Sequence, residues 1–329
     1  MLATRFTDLV GCTVPIQQAG MSTLSPPRLA AAVADAGGLG MVSVYGLPPA
    51  TIATLCDELR AATAGAVGAN VILRFIEPAL VRDCVAAAAR ARVVEFFYSD
   101  PDPELVALVH AGGALACWQV GSRAEAVAAE AAGCDFVIAQ GIEAGGHVRG
   151  TIGLLALLGE VLGAVTVPVL AAGGIGTGRA MAAALAAGAD GVRVGTRFAA
   201  AAEAGAHPEY VAALVAAEAA DTVYTGAFAN GWPGAPHRVL RASVAAAGAF
   251  AGEVVGECLG PLARYTGGPR SPVHRFECLT IDASVTGAVA AMPHWAGESV
   301  GGVRGVQPAA EIVQELAGEA EGLLRRWSC

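Results

Sequence analysis

Apolar positions along the chain fall into two alternating rhythms. Short runs rich in Val, Ile and Ala lie at residues 14–18, 40–44, 68–72, 93–97, 114–119, 136–140, 167–171 and 192–196, separated by longer stretches of Ala, Leu and Glu. Continuous apolar runs of this length read as strands buried on both faces, and the stretches between them as the helices that cover those faces, which is the βαβα signature of a parallel sheet. Helices are predicted over 27–36, 49–62, 77–90, 103–111, 122–132, 153–162 and 178–187. Pro27, Pro49 and Pro103 stand near three of these starts, where a missing N–H costs least. Eight strands are the number that closes a (β/α)8 barrel.

The rhythm changes after about residue 222. Residues 226–302 are rich in Gly, Pro, His and aromatic side chains, and the pattern there predicts a single amphipathic helix over 240–258. A last helix is predicted over 308–325, packing back on the barrel. The expected fold is therefore α/β: a (β/α)8 TIM barrel over 1–225 with an inserted C-terminal lid or substrate domain over 226–302, completed by residues 303–329.

Composition narrows the function classes. With 55% apolar residues in 329 the chain can bury a sizeable core. The mean hydropathy of +0.55 owes much to Ala and Gly, and charge-free stretches such as 161–178 are interrupted by Gly, Pro and Thr, so no transmembrane helix is predicted. The opening MLATRFTDLVGC lacks the basic start, apolar core and cleavage site of a secretory signal, and the expectation is a cytoplasmic enzyme without a membrane partner. A net charge of −9 with both signs interspersed gives no footprint for nucleic acid. Eight cysteines without a C-x-x-C pair read as reduced thiols, and His237, His274 and His294 lack metal-ligand spacing, so no metal site is expected. All 20 basic residues are arginine; without lysine, a Schiff-base aldolase, a pyridoxal phosphate enzyme and a Walker A nucleotide site are excluded.

Two stretches carry candidate chemistry. QGIEAGGHVRG, at 140–150, follows the sixth strand: Gly145 and Gly146 carry no side chain to keep a ligand away, and His147 places a group that titrates near neutral pH beside it. Glu143 either orients this loop through backbone N–H groups or faces solvent. VPVLAAGGIGTGRAMAAALAAGADGVRVGTRF, at 167–198, spans the loops after strands seven and eight, where barrels of this kind bind phosphate, and Gly173, Gly174, Gly195 and Thr196 are placed for it. The alternative is that these glycines only make tight strand-to-helix turns. The glycines do not run G-x-G-x-x-G, so a dinucleotide fingerprint is the wrong reading. Asn70 ends the third strand, and either caps it or points into the barrel mouth. Gln17 and Gln18 with Gly20, Met21 and Ser22, then Trp118 and Gln119, then Trp232, His237, His274, His294 and Trp295 are further candidates to line that mouth.

These motifs, together with GMSTLSPPRLAAAVADAGGLG at 20–40, resemble the nitronate monooxygenase (2-nitropropane dioxygenase) family of FMN-dependent barrels, and the resemblance covers nearly the whole chain. It implies FMN contacts at Asn70, Gln140, Gly145, Gly174, Arg193, Val194, Gly195 and Thr196, with the phosphate on Gly174, Gly195 and Thr196. It also implies that His147 is the catalytic histidine beside the flavin. The implied activity is oxidation of a nitronate or nitroalkane by O2 to a carbonyl compound and nitrite. Two departures bear on the pocket: Trp295 stands where the family commonly has Tyr, and Arg304 where it commonly has Lys. Two alternatives stay open: an NAD(P)H-dependent flavin reductase acting on an enoyl thioester or a quinone, since such enzymes carry the same glycine–histidine loop, and a flavin-binding barrel without activity. The substrate is a small molecule in the enzyme readings, and a homo-oligomer is left open.

Overall fold

The computed structural model describes residues 2–326; Cys329, counted above among the thiols, lies outside them. Nine strands appear in the first two thirds of the chain: β1 (Ile16–Gln18), β2 (Gly40–Ser43), β3 (Val67–Val71), β4 (Val93–Phe96), β5 (Leu115–Val120), β6 (Phe136–Gln140), β7 (Gly146–His147), β8 (Val169–Ala172) and β9 (Gly191–Val194). All except β7 form one parallel sheet in the order β1-β9-β8-β6-β5-β4-β3-β2. The ends of that order meet: Gln18 N–H donates to Leu39 O and Leu39 N–H to Ile16 O, each at 2.9 Å, so the sheet closes on itself as the eight-stranded TIM barrel expected from the sequence.

Alternation along the strands separates two interiors. Outward-facing residues such as Val42, Val94, Val137 and Val192 pack under the surrounding helices, including Leu29, Val33, Ile52 and Leu157. Inward-facing residues stack in the barrel. Its lower half is apolar, with Leu39, Met41, Val93, Cys117, Ile138 and Leu170 packed together. A short helix, Arg5–Val10, seals this end: Thr4 caps it in a box with Thr7, Gly11 turns it off in the left-handed region (φ +83°), and Phe6 meets Phe136 edge to face with centroids 5.4 Å apart. Arg5 holds the helix in place through Asp190, with Nε to Oδ1 at 2.8 Å and Nη2 to Oδ2 at 2.7 Å. The upper half is polar, with Gln17, Asn70, Glu95, Gln119, Gln140 and Arg193 gathered near the C-terminal strand ends.

Beyond the barrel, β10 (Thr222–Thr225) and β11 (His237–Leu240) form an antiparallel pair to which β7 adds as a third strand, His147 opposite His237. A second small sheet joins β12 (Val254–Leu259), β13 (Arg270–His274) and β14 (Thr286–Gly287) in the order β13-β12-β14. Here the sequence expectation needs correcting. The helix predicted over 240–258 runs only over Arg241–Ala249, and after a break β12 takes over from Val254. Gly252, at φ +127°, breaks the run, and Val254 then pairs with His274 and Gly256 with Val273 of β13. Likewise the stretch predicted as helix over 77–90 starts as a 3-10 turn, Pro78–Leu80, and is α-helical only over Val81–Ala88.

The last helix, Ala309–Arg325, lies against the helix Gly178–Ala186 so closely that a Cβ on Gly178 would sit 2.4 Å from the Glu319 Cβ. Buried Arg197 ties the C-terminal segment to the barrel by donating to Gly302 O, to Gln307 Oε1 at 3.1 Å and to Glu315 Oε2 at 2.8 Å. No helix of the described residues is long and apolar enough to cross a membrane.

Candidate active site

A cavity of about 420 Å³ opens where the strands end, between the polar upper half of the barrel and the segment that crosses its mouth. It brings together seven of the residues expected to hold a cofactor: Asn70, Gln140, Gly145, Gly174, Arg193, Gly195 and Thr196. His147 lines it too. Val194 does not: its side chain alternates outward into the helix-facing core, and only its carbonyl is engaged nearby, accepting from Ala19 N–H at 2.8 Å.

Three features suit the cavity to a polar, phosphate-bearing ring. First, Gly173 and Gly174 take positive φ (+114° and +69°), and among the described residues no hydrogen bond uses the backbone N–H of Gly173, Gly174 or Gly195. Free amides in a glycine loop are the donors a phosphate needs. Second, both side-chain polar atoms of Gln119 and the Oδ1 of Asn70 are buried without a partner, and both residues line the cavity. Orphaned buried polar atoms are costly unless a ligand or water completes them. Third, Thr196 Oγ1 accepts from Gly297 N–H at 3.1 Å, which leaves its own proton free to donate.

The loop carrying His147 is fixed from several sides. Gln140 spends its amide on it, Nε2 donating to His147 O at 2.9 Å and Oε1 accepting from Arg149 N–H at 3.2 Å. Glu143 accepts from Leu154 N–H with both oxygens, at 2.9 and 3.0 Å, and so caps the helix Leu154–Leu162. That settles its two sequence readings in favour of backbone orientation. The glycine pair divides its labour: Gly146 supplies a positive φ of +74°, while a Cβ on Gly145 would fall 2.3 Å from Gly297 N, so Gly145 exists to let the 296–298 segment approach. Glu298 N–H then donates to Glu143 O at 2.9 Å.

His147 sits in an aromatic cage. Trp232 stacks on its ring at 4.0 Å, Trp295 leans over it at 5.2 Å, and the rings of His237 and Tyr98 stand at 5.5 and 6.1 Å. Its Nε2 lies 3.6 Å from Cys278 Sγ. Burial, reinforced by His237, pushes its pKa down to about 3, so the imidazole is neutral at physiological pH. The neighbouring Cys278 thiol is pushed up to about 12 by burial and by Glu277, and it remains a thiol.

The other candidates sort cleanly. Trp232 and Trp295 line the cavity, with Trp295 Nε1 anchored to Leu279 O at 2.7 Å. His237 supports from behind: Phe228 N–H donates to its Nε2 at 3.2 Å, and its Nδ1 donates to Ala235 O at 2.9 Å. His274 is exposed on β13, and His294 is buried with Nε2 on Val289 O, so neither faces the cavity. Arg304 is exposed and does not line it. Glu95 was not singled out from the sequence. Its signal was a lone carboxylate in the otherwise apolar run VVEFF, and it stands at the centre of the polar layer, accepting from Gln17 Nε2 at 2.6 Å, Asn70 Nδ2 at 2.7 Å and Arg193 Nη2 at 2.6 Å. The described residues hold no group of three or more His, Cys, Asp or Glu arranged for a metal.

The buried histidines make stability pH-dependent. His147 (about 3), His294 (about 4) and His237 (lowered) are all held below the ordinary value by burial. The unfolded chain therefore binds more protons, so their contribution is complete above about pH 6.5 and is lost as pH falls toward 3. The melting temperature, followed by circular dichroism, is expected to fall from pH 7.5 to pH 5, with a shallower fall in His294→Gln. Equal slopes for both proteins would contradict the assignment.

The closed barrel and the cavity at its C-terminal strand ends define a TIM-barrel enzyme with its active site where this fold places it. More particularly, the chain belongs to the nitronate monooxygenase family, a family of oxidoreductases, whose model matches residues 3–83 and 81–319. A nitronate monooxygenase from Pseudomonas aeruginosa is 31% identical, the match covering 98% of this chain and 100% of that protein. A (3aS,4S,5R,7aS)-5-hydroxy-7a-methyl-1-oxo-octahydro-1H-indene-4-carboxyl-CoA dehydrogenase from Rhodococcus jostii is 35% identical over 57% of this chain, and the match spans only about half (52%) of that relative. Among solved structures, FabK from Thermotoga maritima superposes with a TM-score of 0.80 at 31% identity, covering 100% and 99% of the two chains. Nitroalkane oxidase from Streptomyces ansochromogenes gives 0.76 at 30% identity, covering 99% and 100%.

Proposed function

We propose that the protein is an FMN-dependent nitronate monooxygenase, oxidising nitronates or nitroalkanes with O2 to a carbonyl compound and nitrite. The observation that carries this reading is a single neutral histidine held in an aromatic cage, within the same cavity as a glycine loop with free amides. Gly174, Gly195 and Thr196 would hold the FMN phosphate, while Asn70 and Gln119 offer buried polar atoms to the rest of the cofactor. The bound flavin supplies the redox chemistry between substrate and O2.

The protein's own groups do the remainder. His147, unprotonated, accepts the proton on the carbon bearing the nitro group, and with a substrate already deprotonated it serves as a hydrogen-bond partner. Trp232, Trp295 and Tyr98, packed around the ring, keep water away from the imidazole. In the same reading residues 226–302 act as the lid and substrate domain, and Arg304 has no part in the pocket.

The test is anaerobic mixing of the yellow protein with propyl-2-nitronate, NADH and NADPH in separate experiments while the flavin spectrum is followed. Bleaching by the nitronate but not by either nucleotide is expected. Rapid bleaching by NADH or NADPH alone would establish the reductase alternative, and a colourless protein that cannot be loaded with FMN would sink both.

A further inference from the structure

Glu95 is completely buried, and its two oxygens take four hydrogen bonds. Oε1 accepts from Asn70 Nδ2 (2.7 Å) and Arg193 Nη2 (2.6 Å), and Oε2 from Gln17 Nε2 (2.6 Å) and Arg193 Nε (3.2 Å). A carboxylate paired with arginine only accepts, so each amide facing it must present its NH2. The carbonyl ends of both amides are consequently turned away, and Gln17 Oε1 and Asn70 Oδ1 are both buried without a partner. The Asn70 residue lines the cavity, as does Arg193.

We propose that Glu95 is a positioning residue of the flavin site: it fixes the Asn70 amide so that its carbonyl oxygen is left as an unpaired acceptor in the cavity wall, and it balances the charge of Arg193. The group recognised there is an uncharged hydrogen-bond donor, of which the imide N–H of a flavin ring is an example. The inference rests on the flavin reading above. It adds that the pocket's polar floor is electrically neutral because of one side chain donated by β4.

Two consequences separate this role from a merely structural one. Replacing Glu95 by Gln leaves Arg193 with an uncompensated charge, and positive charge near a flavin favours its electron-rich reduced form, so the reduction potential rises. The new amide also no longer forces Asn70 into one orientation, so a hydrogen bond to the cofactor is lost and the flavin Kd rises about tenfold. In the double variant Glu95→Gln/Arg193→Gln no net charge remains: the potential returns toward the wild-type value while the weakened Kd persists.

The experiment measures FMN Kd by fluorescence titration, and the potential of the FMN-loaded fraction against a reference dye under anaerobic conditions, for wild type and both variants. A wild-type protein that binds no FMN would overturn the flavin reading itself, before any variant is compared. If FMN binds, Glu95→Gln with wild-type Kd and potential overturns the proposal, and so does a weakened Kd with an unmoved potential, the pattern of a structural defect alone. Should Glu95→Gln not fold, Arg193→Gln decides through the potential: the unbalanced Glu95 carboxylate should lower it below the wild-type value, and a wild-type potential overturns the proposal.

Discussion

His147→Ala is expected to lower kcat/KM for a neutral nitroalkane by about 10²- to 10⁴-fold, the range over which a positioned base contributes to proton transfer. For the corresponding nitronate, which has already lost that proton, the loss should be about tenfold or less, the worth of one hydrogen bond. The contrast follows from the cage: burial against Trp232 and Trp295 keeps the resting imidazole unprotonated, so it supplies no positive charge to a bound nitronate and has a free acceptor for a proton. With a pKa pushed down to about 3, His147 should give no acid limb near pH 6.5 in the nitroalkane kcat/KM profile. Steady-state kinetics on both substrate forms, with FMN content measured in each sample, check the pair. Equal losses on the two forms would remove His147 from the proton-transfer step.

Gly145→Ala should be far more damaging than the same change at its neighbour Gly146 in the active-site loop. A Cβ on Gly145 would fall 2.3 Å from Gly297 N and 2.6 Å from Ala296 C, both backbone atoms, so neither can rotate out of the way. Either the loop or the 296–298 segment must shift, putting at risk Gly297 N–H to Thr196 Oγ1 and Glu298 N–H to Glu143 O. Overpacking of this kind costs about 1–3 kcal/mol. A displacement of about 1 Å in a catalytic constellation costs about 10²-fold in rate. Gly146→Ala is the control: its Cβ would meet nothing within 4 Å, and only its positive φ is strained, at about 1–2 kcal/mol. Thermal melts and kcat/KM for the two variants should rank Gly145→Ala as the more inactive, and the reverse order would show that the loop does not seat against 296–298.

The barrel was legible because most of its strands are short, largely apolar runs alternating with helical stretches, a pattern that needs no distant partner to be read. The region over 222–302 was not, because its strands draw their meaning from pairing. Val254 follows an alanine-rich helix after four residues, and only the antiparallel match of 254–259 to residues 270–274 makes that segment β-structure. The same division runs through the site. Gly174, Gly195, Thr196 and His147 announced themselves by local motif, and the structure gathers them into one cavity. Glu95 did not, since its meaning lies in Asn70, Gln17 and Arg193, which stand 25, 78 and 98 residues away. Nor did the two jobs of the glycine pair, because the residue that demands Gly145 is Gly297, in a segment the sequence places far from it.

The helix Arg5–Val10 that stoppers the lower barrel with Phe6 makes the enzyme a cul-de-sac. Among the described residues the cavity opens at the C-terminal strand ends, beside Trp232 and Trp295, so a ligand seated there would come and go at that face. On the proposed reaction, a product slow to leave would then stand in the path of the next substrate.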